Sequence, residues 1–260
     1  GCATSAPAPT PAPNPTALPT ANSAPTAAAN PTPAAQAPLA TRWAAQVSAE
    51  SPLPEYPRPQ LARPDWQNLN GSWQFAAATE GQALPAGQEL AERVLVPFPI
   101  ESALSGLARH EERMWYRRTF SVPESWRGRN VQLNFGAVDW QASVFINGQP
   151  VGEHRGGYDA FSFDITAQLR AGENELIVGV YDPTDAGGQP VGKQRLAPEG
   201  IFYTAVSGIW QTVWIEPTAP AHITRLDITP DVPNGLVRLV VQALATGGSG
   251  RPGHLTVLGA

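Results

Sequence analysis

In Gln141-Ala142-Ser143-Val144-Phe145-Ile146-Asn147-Gly148-Gln149-Pro150-Val151-Gly152-Glu153-His154, two runs of strand character flank an Asn-Gly pair, and the first alternates apolar with other residues. A period of two marks a strand with one buried face. Asn-Gly between two such runs is the strongest short hairpin signal, because both turn positions take positive φ. The stretch therefore predicts strands at 141–146 and 149–154 joined by a two-residue turn.

The same reading extends in both directions. Upstream, 71–75 places Trp73 and Phe75 on one face, and 93–96 runs into Pro97-Phe98-Pro99. Proline donates no hydrogen bond, so a ladder stops there. Strands follow at 114–120 and at 130–135, where Val131, Leu133 and Phe135 alternate with Gln132 and Asn134. Downstream lie 161–165, 174–181 and 211–215. Gly or Pro stands at most junctions, and no long segment has a helical period. Short strands with regular turns predict an all-β fold, a two-sheet sandwich of jelly-roll type over 64–220. A body of about 150 residues can bury a substantial core and should fold alone.

Composition agrees with this. The 260 residues include 28 Pro and 24 Gly but only 15 % charged residues, which suits a turn-rich β-protein. The net charge of −5 offers no basic footprint for nucleic acid. No apolar run is long enough to span a bilayer as a helix. The single cysteine, Cys2, excludes an intrachain disulfide.

Gly1-Cys2 fits the end of a bacterial lipoprotein signal, with Cys2 as the lipid attachment point; the alternative is a chance pair. The next stretch favours the anchor. Residues 3–41 carry no charge and no aromatic ring, so they cannot offset their ordering entropy. Rich in proline, 1–41 reads as a disordered, semi-rigid tether with a reach on the order of 100 Å. The expected location is extracytoplasmic, with the membrane reached only through lipid. Because Gly1 is not an initiator Met, the chain reads as one that has lost a leader. Composition then changes at Arg42-Trp43, and all eight tryptophans lie from there onward. Residues 42–63, with Pro54, Pro57 and Pro59, form an extended lead-in. Beyond Pro220, strands at 222–229, 236–243 and 254–258 read as the start of an immunoglobulin-like sandwich. About seven strands would complete one, so 221–260 is taken as an incomplete domain.

Several phrases together resemble glycoside hydrolase family 2. They are Glu55-Tyr56-Pro57-Arg58-Pro59-Gln60 with Trp66-Gln67-Asn68-Leu69-Asn70-Gly71, and Val96-Pro97-Phe98-Pro99-Ile100-Glu101-Ser102. Trp115-Tyr116-Arg117-Arg118 and Phe135-Gly136-Ala137-Val138-Asp139-Trp140 follow. Gly156-Gly157-Tyr158 and Ser207-Gly208-Ile209-Trp210-Gln211-Thr212-Val213-Trp214 close the series. The stretch is similar to the galactose-binding-like sugar-binding domain of β-galactosidases and β-glucuronidases, followed by the start of their immunoglobulin-like domain. The resemblance implies a complete enzyme with a C-terminal (β/α)₈ barrel carrying two catalytic glutamates for a retaining mechanism. No barrel lies within these residues, so none is expected to be catalytic and the segment alone is expected to be inactive. Its partners would be an oligo- or polysaccharide and its own barrel. A non-catalytic surface carbohydrate-binding module is the rival reading.

Several individual residues admit plainer roles beside a functional one. Glu111 and Glu112 are adjacent, so on a strand they point to opposite faces and cannot flank one bond. Asp139 beside Trp140 could hold a sugar hydroxyl, but satisfying turn amides is the preferred reading. His154 lacks a partner at metal-like spacing, and neither metal nor cofactor is expected. The connection 182–210 is long for a compact domain and interleaves aromatics with charges, which points to function. The resemblance implies that this region helps close a sugar pocket, with an aspartate shortly before the Gly-Ile pair. Here Phe202 and Tyr203 occupy that neighbourhood and Glu199 is the nearest acid. The candidate substrate-binding residues are Asp182, Glu199, Tyr203 and Trp210. Trp73, Trp115 and Trp214 are expected in the core, and Trp126 as a loop cover.

Overall fold

A computed structural model describes residues 40–244. Cys2, the tether expected before residue 40 and the strand expected at 254–258 lie outside the described residues. Sixteen strands follow one another: β1 (Gln67–Asn68), β2 (Gly71–Ala77), β3 (Glu92–Val96), β4 (Arg113–Ser121), β5 (Asn130–Phe135), β6 (Val138–Asp139), β7 (Gln141–Ile146) and β8 (Gln149–Arg155). Then come β9 (Phe161–Asp164), β10 (Glu173–Tyr181), β11 (Gln194–Arg195), β12 (Tyr203–Thr204), β13 (Gly208–Ile209), β14 (Val213–Thr218), β15 (His222–Asp231) and β16 (Leu236–Leu244). Among the described residues there is no α-helix, and no helix long and apolar enough to cross a membrane.

Two antiparallel sheets build the sandwich. One runs β3-β2-β4-β10-β7-β8 and the other β1-β14-β5-β9. The chain crosses from one sheet to the other between β4 and β5, between β8 and β9, and between β9 and β10, as a jelly roll does. Strand parity fills the space between the sheets. Met114 and Tyr116 of β4, Ala142, Val144 and Ile146 of β7 and Leu176, Val178 and Val180 of β10 meet Leu133, Phe135, Val213 and Ile215 of the smaller sheet. The Asn147-Gly148 turn forms as expected, with φ of 52° and 77°.

Parity also corrects two expectations. Because Met114 and Tyr116 point inward, Trp115 must point outward, and it lies half-buried over Gly179 instead of in the core. A Cβ at Gly179 would come within 2.5 Å of that indole. Trp126, expected as a loop cover, is buried in a short 3₁₀ turn and belongs to the core.

The lead-in is fastened by one buried carboxylate. Glu216 on β14 is 1 % exposed and accepts from the Tyr56 hydroxyl at 2.7 Å, from Arg63 Nε at 3.1 Å and from Arg58. Arg63 also donates to the carbonyl of Ile223 at 2.8 Å, which ties in the β15–β16 hairpin.

Candidate functional site

Three glycines allow chain segments to approach each other where β6 and β13 pair. Gly208 sits at φ +81° with Tyr116 beneath it, so close that a Cβ would overlap the hydroxyl. At Gly157 a Cβ would lie 2.4 Å from Asp139 Oδ1, so the glycine lets the loop after β8 settle on that carboxylate. Gly156, at φ +143°, begins this turn, and His154 Nε2 contacts its carbonyl at 3.2 Å while the imidazole stacks on Phe161.

The result is a cleft of about 500 Å³. Asp139 and Trp210 contribute from the sandwich, Tyr158 from the glycine loop, and Lys193, Gln194 and Tyr203 from the connection. Tyr158 and Trp210 meet edge to face with centroids 6.0 Å apart, and Trp210 Nε1 donates to the Gly157 carbonyl at 2.7 Å. Tyr203 is 63 % exposed, and Lys193 lies over its ring at 5.8 Å. A larger groove of about 730 Å³ separates the lead-in from β15, but no aromatic ring lines it. Aromatic walls with a few convergent polar groups are the usual marks of a small-molecule site.

Beneath the cleft runs a polar network. Ser207 Oγ donates to Asp182 Oδ2 at 2.7 Å, and Ser207 N donates to Glu101 Oε2 at 3.0 Å. His110 Nδ1 faces Glu101 Oε1 at 3.0 Å, and that carboxylate raises the imidazole above its ordinary pKa. Burial raises Asp182 despite its bonds from Ser207 and the Thr184 amide. Burial also pushes Asp139 up to about 6; the nearby charges of Asp182 and Glu101 add to this, and a bond from Gln194 opposes it. Perturbed carboxyls collected at a cleft mark a functional site more often than chance. Among the described residues no set of three His, Cys, Asp or Glu is arranged to hold a metal ion.

The four sequence candidates fall in different places. Tyr203 and Trp210 line the cleft. Asp182 is only 2 % exposed and bonded to Ser207 and Thr184, so it underpins the cleft and does not face the opening. Glu199 stands on an exposed turn, where its carbonyl accepts from Phe202 N, and it is not part of the lining. Asp139 does not bond turn amides as expected; its donor is the side chain of Gln194 at 3.1 Å. Gln194, Lys193 and Tyr158 were not singled out as ligand contacts. The one available clue was the aromatic-rich connection that contains the first two.

Residues 91–216 match the family model described as glycosyl hydrolases family 2, sugar binding domain. A β-galactosidase of Thermoanaerobacter pseudethanolicus is 35 % identical over 111 residues, which are 42 % of this chain and 14 % of that enzyme. A β-glucuronidase of Paenibacillus borealis is 28 % identical over 198 residues, 68 % of this chain and 33 % of the relative. The solved β-glucuronidase of Faecalibacterium prausnitzii matches with a TM-score of 0.56 and 28 % identity, across 74 % of this chain and 37 % of that structure. The chain thus spans a third or less of these two curated relatives. Over residues 91–216 the sandwich thus matches the sugar-binding domain of the glycosyl hydrolases of family 2, and its fold is similar to that of solved β-glucuronidases.

Proposed function

We propose that the complete polypeptide is a glycosidase hydrolysing O-glycosyl bonds, and that this region shapes one wall of its sugar site. The cleft carries the reading, because its rings and buried carboxyl suit the apolar face and the hydroxyls of a sugar. The relatives named β-galactosidase and β-glucuronidase support the reaction class. No residue of this chain is assigned a catalytic role. A barrel following the chain would supply the acid/base and nucleophile, and Cys2 would hold the enzyme to an extracytoplasmic membrane face through lipid.

Hydrolysis of 4-nitrophenyl β-D-galactoside and β-D-glucuronide tests the reaction. The complete polypeptide should cleave at least one of them, and the 260-residue chain neither. The intact mass of the native protein tests the rest. A mass far above 27.6 kDa supports a following barrel, whereas a mass near 27.6 kDa raised only by lipid favours a surface binding module. An unlipidated Cys2 would remove the anchor.

A further inference from the structure

Gln194 bonds both walls of the cleft at once. Its Nε2 donates to Asp139 Oδ2 at 3.1 Å and to the Tyr158 hydroxyl at 3.2 Å on the sandwich side. Its Oε1 accepts from Val206 N at 2.6 Å on the returning limb of the connection. Its backbone belongs to β11, which pairs in parallel with Tyr203-Thr204, and Tyr203 N donates to the Lys193 carbonyl at 2.8 Å. Two residues of pairing are too few to hold a strand by themselves. The side chain of Gln194 supplies the missing restraint.

The amide is chemically suited to this place. It donates to an acidic acceptor while accepting from a backbone N–H, and both functions are fixed in one plane. A glutamate here would keep the acceptor for Val206 but would turn like charge toward Asp139. A leucine would keep the volume and neither bond. Asp139 Oδ1 meanwhile accepts no hydrogen bond among the described residues, although Asp139 lines the cleft. Gly157 packs against that oxygen, so only a small part of the carboxylate reaches the aromatic walls formed by Tyr158, Tyr203 and Trp210.

We propose that Gln194 is the positioning residue of the cleft, fixing the Asp139 carboxylate and the Tyr203 wall in the one geometry that receives a sugar ring. The ring hydroxyls bond Asp139, and the apolar ring face lies against the aromatic side chains. This rests on the cleft being the sugar-facing site, and it adds the residue that sets its shape and the acceptor that grips the ligand. The charged and titratable groups around Asp139 are Asp182 at the end of β10, Glu101 after β3, His110 bridging toward both, and Lys193 at the rim.

The test is calorimetric binding of methyl β-D-galactoside and methyl β-D-glucuronide to the complete polypeptide between pH 5 and 8, for wild type, Gln194→Leu and Gln194→Glu. Wild-type affinity should fall as the pH drops through about 6, where Asp139 takes up a proton. Gln194→Leu should weaken binding about tenfold at pH 7.5, the loss of roughly one net hydrogen bond to a charged group. It should also move the acid midpoint upward, because the donor favouring the ionised Asp139 is gone. Gln194→Glu retains the Val206 bond and should move the midpoint further. A purely structural residue would lower the melting temperature without moving that midpoint. Affinity within twofold of wild type and an unmoved midpoint in either folded variant would overturn the proposal, and so would wild type binding neither glycoside. Binding that depends on Gln194 in a polypeptide that hydrolyses nothing would sink the glycosidase reading and leave this one standing.

Discussion

Replacing Asp139 with Asn should stabilise the protein, and only above a particular pH. Asp139 is 4 % exposed, and burial together with the charges of Asp182 and Glu101 pushes it up from 3.8 to about 6. At about 1.4 kcal/mol per pH unit, that difference corresponds to about 3 kcal/mol of native-state free energy at neutral pH, as an upper bound. The sign follows from the protons held by each state. Between pH 4 and 6 the folded carboxyl stays protonated while the unfolded one ionises, so the unfolded state binds fewer protons and stability falls as pH rises. Above 6 both are ionised and the full penalty is present; below 4 both are protonated and it vanishes. Asn has the same shape, carries no charge, and its carbonyl can still accept from Gln194 Nε2. Asp139→Asn in the 260-residue chain should therefore match wild type near pH 4 and gain on the order of 1–3 kcal/mol by pH 7.5. At about 2–4 °C per kcal/mol for a domain of this size, the melting temperature should rise by several degrees. Thermal unfolding followed by circular dichroism at pH 4, 5, 6 and 7.5 gives the comparison. A difference that stays flat across that range, or a variant less stable at pH 7.5, would refute the reasoning. On the proposal that Asp139 accepts from a sugar hydroxyl, the same variant of the complete polypeptide should bind sugar less well.

Three further changes probe other levels of the structure. Gly208→Ala should be among the most damaging single substitutions, about 3 kcal/mol or more by urea denaturation, because positive φ and the underlying Tyr116 hydroxyl both exclude a methyl group; a loss under 1 kcal/mol would contradict that packing. Glu216→Ala leaves Arg58 and Arg63 facing each other without a carboxylate and should lower stability by about 3 kcal/mol. It should also expose the 55–63 lead-in to limited proteolysis, and unchanged cleavage would show that the lead-in is held otherwise. Tyr203→Ala, at an exposed position, should shift stability by no more than about 0.5 kcal/mol while raising the KM of the complete polypeptide about tenfold, roughly 1.4 kcal/mol of lost stacking; unchanged KM and kcat would count against a substrate contact.

Much of the sandwich was legible because alternation is a local signal. The 130–135 and 141–146 strands coincide with β5 and β7 residue for residue, and the Asn-Gly turn stands where two-residue hairpin chemistry puts it. The two-residue strands β1, β6, β11, β12 and β13 escaped, since a pair of residues carries no period. Trp115 was misplaced because an aromatic ring in a strand does not declare its face; its neighbours' parity does. At the site, Tyr203 and Trp210 could be found from aromatic rings within a long charged connection. Gln194 could not, because nothing local marks an amide whose partners lie 36 and 55 residues upstream and 12 downstream. Asp182 shows the same difficulty from the other side. Its amide bonds the Glu112 carbonyl and so prolongs the β10–β4 ladder, which turns the side chain toward Ser207 and away from solvent.

The two sides of the cleft are built differently, and this has a consequence for how it holds a ligand. Asp139 is paired with Gly208 in the β6–β13 ladder and Trp210 directly follows β13, over a buried Tyr116, with Gly157 and Gly208 lacking the Cβ that would keep the segments apart. That side is fixed by core packing and has little freedom to adjust. Tyr203 and Lys193 sit on a connection whose two limbs are tied together by the Gln194–Val206 bond and the β11–β12 pairing, and which the Gln194 side chain joins to Asp139 and Tyr158. Functional side chains are commonly carried this way, on loops positioned by a rigid scaffold. On the proposed function, the carboxylate and the indole on the rigid side would set where a sugar lies. The tyrosine on the clipped connection then governs how closely the opposite face is covered. Specificity for hydroxyl position should accordingly reside in Asp139 and its supports, and tolerance of different ring substituents in the stretch from Lys193 to Tyr203.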